Sequence, residues 1–154
     1  MKNFATVPVI GLVAGDPAGV GPELLAEALK NAPDGVRLEV IGDPSLRNPG
    51  QPDREGSLRA IASLEEAASR AFAGELAAVV TGPVNKRNLH QVGFEFPGQT
   101  EFFAARAGVE NFAMLLIRVF RLIGLLICSS KPFDKQCCRS SFRAWAVKAN
   151  MGVL

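Results

Sequence analysis

The stretch Val7-Pro8-Val9-Ile10-Gly11-Leu12-Val13-Ala14, closed by Gly15-Asp16-Pro17, constrains the fold of this chain more than any other segment. It is nearly all apolar and does not alternate, so it offers water no polar face. Such a run reads as a strand buried on both sides, the condition of a parallel sheet covered by helices. The next residues supply a covering helix. Gly19 and Gly21 permit a tight turn, Pro22 suits a first helical position, and Glu23 suits the positive end of the helix dipole. Leu24 to Lys30 then continue with good helix formers.

The pattern repeats. Val36-Arg37-Leu38-Glu39-Val40-Ile41 reads as a second strand and stops at Gly42-Asp43-Pro44. Residues 47–56 are polar and rich in Pro and Gly, which predicts a loop. Ser57 is placed to cap a helix from Leu58 to Ala73, whose apolar positions recur at helical spacing before Gly74. Leu76 to Thr81 reads as a third strand, ended by Gly82-Pro83. Strands alternating with helices predict an α/β fold, a mostly parallel sheet flanked by helices. Ligands on such sheets sit beyond the carboxyl ends of strands, which singles out the loops 15–23 and 81–86.

Composition narrows the function. The 154 residues suffice for one core, and the formal charge of +2 is too balanced to suggest nucleic acid or a membrane surface as partner. That balance hides a break. Residues 1–110 hold ten Lys/Arg against fourteen Asp/Glu, a charge of −4, whereas 111–154 hold seven basic residues against Asp134 alone, a charge of +6. Cys128, Cys137, Cys138 and Trp145 also fall in this last part. An odd number of cysteines without CxxC spacing supports neither a disulfide framework nor zinc. Arg118 and Arg121 interrupt the apolar stretch 113–128, so no membrane span is expected, and the amino terminus has no export signal; a cytoplasmic address follows.

The two glycine-bearing loops carry the candidate chemistry. Gly15-Asp16-Pro17-Ala18-Gly19-Val20-Gly21-Pro22-Glu23 joins a strand to a helix start, where free N–H groups attract anions, but it lacks the GxGxxG and P-loop spacings and Pro22 removes a donor. Asp16 is either an ionisable group or a turn former. Thr81-Gly82-Pro83-Val84-Asn85-Lys86 ends in an ammonium able to neutralise a phosphate. His90, the only histidine, cannot build a metal site alone. Further on, Gln99, Thr100 and Glu101 lie between aromatic pairs after Pro97-Gly98, with Thr100 placed to cap a helix.

Taken in order, these two loops and Phe96-Pro97-Gly98-Gln99-Thr100-Glu101-Phe102 resemble the 4-hydroxythreonine-4-phosphate dehydrogenase family of vitamin B6 biosynthesis, over residues 7–46 and about 49–110. The resemblance implies a homodimeric enzyme with part of an isocitrate/isopropylmalate dehydrogenase-like fold. It implies oxidation and decarboxylation of a phosphorylated amino alcohol acid, with NAD or NADP and a divalent metal such as zinc, magnesium or cobalt. By matching position it assigns Lys86 to the active site and Gln99 and Thr100 to substrate binding, where Gln99 replaces the family's histidine. An amide can replace the hydrogen bonds of imidazole but cannot take up a proton near neutral pH.

Two departures accompany the resemblance. The family carries additional residues between Leu46 and Pro49, so an internal deletion is expected near 46–49 within a family-like part, 1–114. From 115 to 154 the text is basic and unlike the family, with none of its metal-binding histidines, as translation in a shifted reading frame would produce. The alternative function is therefore an inactive truncated remnant that at most binds a phosphorylated small molecule.

Overall fold

Val9–Val13 forms β1 at the centre of a three-stranded parallel sheet, flanked by β2 (Arg37–Ile41) on one side and β3 (Ala78–Thr81) on the other. The structure is a computed structural model and describes residues 7–45, 47–116 and 125–128. Between the strands run α1 (Gly21–Lys30) and α2 (Arg54–Phe72). After β3 come α3 (Lys86–Gln91) and α4 (Gln99–Arg106). The α/β fold with a parallel sheet flanked by helices is therefore the one the apolar run at 7–14 implies.

Register places the side chains. Leu12 stands beside Val40 and Val80, and Val13 beside Ile41 and Thr81. Because neighbours in register share a face, Leu12 and Ala14 turn one way, to pack with Leu25 of α1, while Val13 and Ile41 turn the other way. On that second face α2 contributes Ala60, Leu64, Ala67 and Ala68, and Leu89 of α3, Phe94 and Phe102 of α4 complete the same cluster.

Three boundaries differ from the sequence expectation. Helix α2 begins at Arg54, not Leu58, because Asp53 caps it: its Oδ1 accepts from the Gly56 N–H at 2.6 Å. Ser57, expected as the cap, is buried inside the first turn and donates its hydroxyl to the Asp53 carbonyl. Strand β3 begins at Ala78 because Leu76 leaves the ladder to enter the core. Thr100 is not a cap either: the Gly98 carbonyl accepts from the Phe102 N–H at 3.2 Å, so the helix has already started.

Charged side chains tie α2 to the sheet. The Arg70 guanidinium reaches Glu39 of β2 at 2.7 Å and Glu75 beyond the helix at 3.0 Å. At the other end Arg59 meets Asp43 at 2.8 Å and Glu55 at 2.7 Å. Hydrogen bonds from Ser45 and the nearby Arg47 and Arg59 hold the Asp43 carboxyl below its ordinary value of 3.8.

The chain divides into two compact units, 1–103 and 104–154. In the second, the Gly108 N–H donates to the Ala105 carbonyl and the Val109 N–H to the Ala104 carbonyl, closing the helix end. Strands β4 (Ala113–Leu116) and β5 (Leu125–Cys128) pair antiparallel, Ala113 opposite Cys128. Residues 117–124 and 129–154, with Cys137, Cys138, Trp145 and every basic residue of the expected tail, lie outside the described residues, as does Leu46 at the expected deletion.

Candidate functional site

Three segments meet beyond the carboxyl ends of β1 and β3. The first is the loop after β1. Gly15 adopts a φ of +76°, and a Cβ there would stand 2.6 Å from the Pro83 carbonyl oxygen, so a glycine is what allows the two loops to touch. The contact is held by the Asp16 N–H, which donates to the same Pro83 carbonyl at 3.0 Å. The Asp16 carboxylate accepts from the Ala18 N–H at 2.9 Å, and its carbonyl accepts from the Gly19 N–H. Asp16 thus forms the turn, the second of its two sequence readings.

This first loop is poorly suited to a pyrophosphate. Val20, at the helix start, offers no side-chain cap; Pro22 has no N–H to donate, and Glu23 puts a carboxylate in the first turn, where an anion would have to sit. The residues present do not fit a dinucleotide there.

The second segment follows β3. Asn85 caps α3 by accepting from the Asn88 N–H at 3.3 Å, which makes Lys86 the first residue of that helix and leaves its side chain exposed. The third segment is the start of α4. An aromatic cluster fixes it: Phe102 lies edge-on to Phe96 at 5.4 Å and to Phe103 at 5.2 Å between ring centres, and Phe94 sits 5.7 Å from Phe102. The aromatics around Gln99 to Glu101 are core packing that aims the polar residues between them.

The two segments converge on Gly98. A Cβ at Gly98 would lie 3.6 Å from Lys86 Nζ and 2.9 Å from Glu101 Oε2, so one ammonium and one carboxylate share the space over a buried glycine. Gln99 bridges to the end of β3: its Oε1 accepts from the Thr81 hydroxyl at 2.9 Å and its Nε2 donates to the Gly82 carbonyl at 3.2 Å. Thr100, half-buried, is the next residue of the same turn. Lys86, Gln99 and Thr100, assigned separately from the sequence, therefore belong to one place. His90 is not part of it; its Nδ1–H donates to the Phe94 carbonyl at 2.6 Å.

Thr81, Gly98 and Glu101 were not singled out as site residues by sequence reasoning. All three lie inside the quoted motifs, which was their signal in the sequence; that a side chain at Gly98 would meet Glu101 and Lys86 is seen only in the structure. A cavity of about 140 Å³ between the start of α2 and α3, lined by Asp53, Ser57, Asn88 and Gln91, includes none of the three candidates. It is also smaller than the roughly 300–1,000 Å³ of ordinary small-molecule pockets. Among the described residues no three His, Cys, Asp or Glu side chains gather to hold a metal ion. The described residues do not fit the implied metal, and no step is assigned to one.

The family model described as "Pyridoxal phosphate biosynthetic protein PdxA" matches residues 20–134. The chain belongs to this family. A 4-hydroxythreonine-4-phosphate dehydrogenase of Zymomonas mobilis is 31% identical over 147 residues, covering 70% of this chain and 44% of that protein. One of Synechocystis is 34% identical, covering 73% and 43%. A crystal structure of a 4-hydroxythreonine-4-phosphate dehydrogenase from Burkholderia phymatum superposes with a TM-score of 0.63 at 26% identity, covering 73% of this chain and 47% of that one.

This PdxA-family chain thus spans less than half the length of the relatives it matches. Coverage carries a second fact. Seventy per cent of 154 residues is about 108, so about 39 of the 147 aligned positions of the Zymomonas mobilis protein have no counterpart here. The family match also runs 20 residues past Met114, to residue 134.

Proposed function

We propose that this chain carries the substrate-binding part of a 4-hydroxythreonine-4-phosphate dehydrogenase, serving pyridoxal phosphate biosynthesis, with Lys86 and Thr100 at the phosphorylated substrate and Gln99 beside them in the first turn of α4. The observation that carries this is the convergence of Lys86 Nζ and Glu101 Oε2 over Gly98, at the carboxyl ends of the strands. A substrate bearing both a phosphate and an amino group needs both signs of charge within a few ångströms. Lys86 supplies the cation for the phosphate, and Glu101 supplies the anion for the amine. Thr100 adds a hydroxyl that can donate to a phosphate oxygen.

The oxidation this reading implies uses a nicotinamide as hydride acceptor, NAD or NADP, and in the resembled family a divalent metal. None of the described residues is assigned to either group. What the chain's own residues do is bind and orient: Lys86 neutralises, and the aromatic cluster holds the start of α4, which carries Thr100 and Glu101. The reading also carries a homodimer and a cytoplasmic address. Among the described residues, no helix is long and apolar enough to cross a membrane.

A second reading is supported by the aligned positions that have no counterpart within this chain: the chain binds a phosphorylated small molecule without turning it over. One experiment separates the two. Purified chain is titrated calorimetrically with 4-hydroxythreonine 4-phosphate, then assayed for nicotinamide reduction with NAD or NADP and added zinc or magnesium. Turnover establishes the dehydrogenase; binding without turnover establishes the second reading; binding unaffected by Lys86→Met removes the site from both. Loss of one charge-assisted contact at an exposed lysine should weaken binding about three- to tenfold.

The missing 39 or so positions support an internal deletion, which we place near 46–49. For the boundary after 114, the support is the change of charge, since the family match continues to 134. Sequencing the gene and reading it in three frames after codon 114 tests the frameshift; an uninterrupted frame through codon 154 removes it.

A further inference from the structure

Gln99 differs from every other polar residue around Gly98 in having both ends of its side chain engaged within the protein. The Thr81 hydroxyl donates to its Oε1, and its Nε2 donates to the Gly82 carbonyl. The two partners are neighbours in sequence, so a single planar amide spans the step from strand β3 into the following loop. A primary amide presents an acceptor and a donor side by side on one carbon, which the opposed ring nitrogens of an imidazole do not. The loop that starts at Gly82 ends at Lys86, and Lys86 returns over Gly98, the residue before Gln99. Loop and helix start are therefore joined by the amide at one end of the loop, and Lys86 lies beside Gly98 at the other.

We propose that Gln99 is a positioning residue, which clamps the first turn of α4 to the Thr81–Gly82 step and so keeps Lys86 and Thr100 in register without touching the ligand itself. The functional part of this rests on the phosphate-binding reading above; the clamp does not. It also gives the glutamine a reason of its own at this position: what the site takes from residue 99 is a two-point attachment, not a titrating group.

A double-mutant cycle on the full chain tests this, with Gln99→Leu, Thr81→Val and the double variant, and with Thr81→Ser as the conservative control. Thr81→Val keeps a β-branched strand residue and removes only the hydroxyl. Two readouts are taken: hydrogen exchange of the Phe102 amide, which is bonded to the Gly98 carbonyl, and the affinity for inorganic phosphate by calorimetry. Each single variant should speed that exchange about threefold to fivefold and weaken phosphate by a similar factor, as expected for the loss of a part-buried hydrogen bond. The double variant should do little more than Gln99→Leu, and Thr81→Ser should match wild type.

If Thr81→Val leaves both readouts unchanged while Gln99→Leu weakens phosphate, Gln99 is a direct ligand contact and the proposal is overturned. Faster exchange with unchanged phosphate affinity overturns the positioning role as well. If the wild-type chain binds no phosphate, the binding reading fails, and the exchange cycle alone decides the clamp. Should Gln99→Leu fail to fold, Thr81→Val against Thr81→Ser carries the same comparison.

Discussion

On its α2 face the sheet is backed by Val13, Ile41, Leu64, Leu89 and Phe102, the largest described side chains that are wholly enclosed; on its α1 face the buried hydrophobic cluster is just Leu12, Ala14 and Leu25. The thin face shows at its margin. Val80, in register with Leu12, and Leu24 of α1 are each 55% exposed. The difference teaches where precision is needed. The segments that bring Lys86, Gln99 and Thr100 together hang from the deep face through Leu89, Phe94 and Phe102, whereas the α1 face carries a turn that satisfies its own backbone. A site held to fractions of an ångström needs side chains that cannot repack, and only close packing supplies them.

The strongest way to break this comparison is to empty each face in turn. Phe102→Ala should cost about 3–5 kcal/mol, since it opens a cavity under α4, and Leu25→Ala should cost less, about 2 kcal/mol, because the thin face can collapse toward solvent. Chemical denaturation measures both; equal costs would show the faces to be equivalent. Phe102→Ala should also weaken substrate binding, which Leu25→Ala should leave alone.

Gly15→Ala comes next. It forces a side chain into φ +76° and against the Pro83 carbonyl, and about 1–3 kcal/mol of destabilisation is expected by the same measurement. A smaller effect, about 1 kcal/mol, is expected from Asp53→Ala, which removes the cap that starts α2 four residues ahead of the apolar pattern. Circular dichroism should then show slightly less helix, and an unchanged melting curve would return the start of the helix to Ser57.

The smallest effect belongs to Asp43. Its carboxyl is held below 3.8 in the folded chain, so its contribution is fully present above that value and is lost as pH falls through the lowered one. Wild type and Asp43→Asn should therefore differ by a constant amount near neutrality, and the curves should converge only in acid, below about pH 4. A difference that changes between pH 6 and pH 8 would mean another group is responsible.

Much of the sheet was legible because its signals are local. The run at 7–14, the proline and glutamate that open α1 and the glycines that close each strand all act within a few residues, and β1, α1 and β2 lie where those signals put them. Helix α3 was harder to see. It has six residues, too few to be stable alone, and it exists because Asn85 caps it and Leu89 is buried beneath it. The candidate residues were legible only as three ordered motifs; nothing in their spacing of 13 and 14 residues from Lys86 to Gln99 and Thr100 says that they meet.

By itself, then, the sequence determined the alternation of strands and helices, the family, and the types of side chain offered beyond the strand ends, because periodicity, turn chemistry and motif order are written residue by residue. The tertiary structure alone decided that Lys86 lies over Gly98, that the Asp16 N–H is bonded to the Pro83 carbonyl, and that Gln99 is tied to Thr81 and Gly82. Those are contacts between residues up to 67 positions apart, as with Asp16 and Pro83, and they form only when a shared core brings distant backbone within hydrogen-bonding reach.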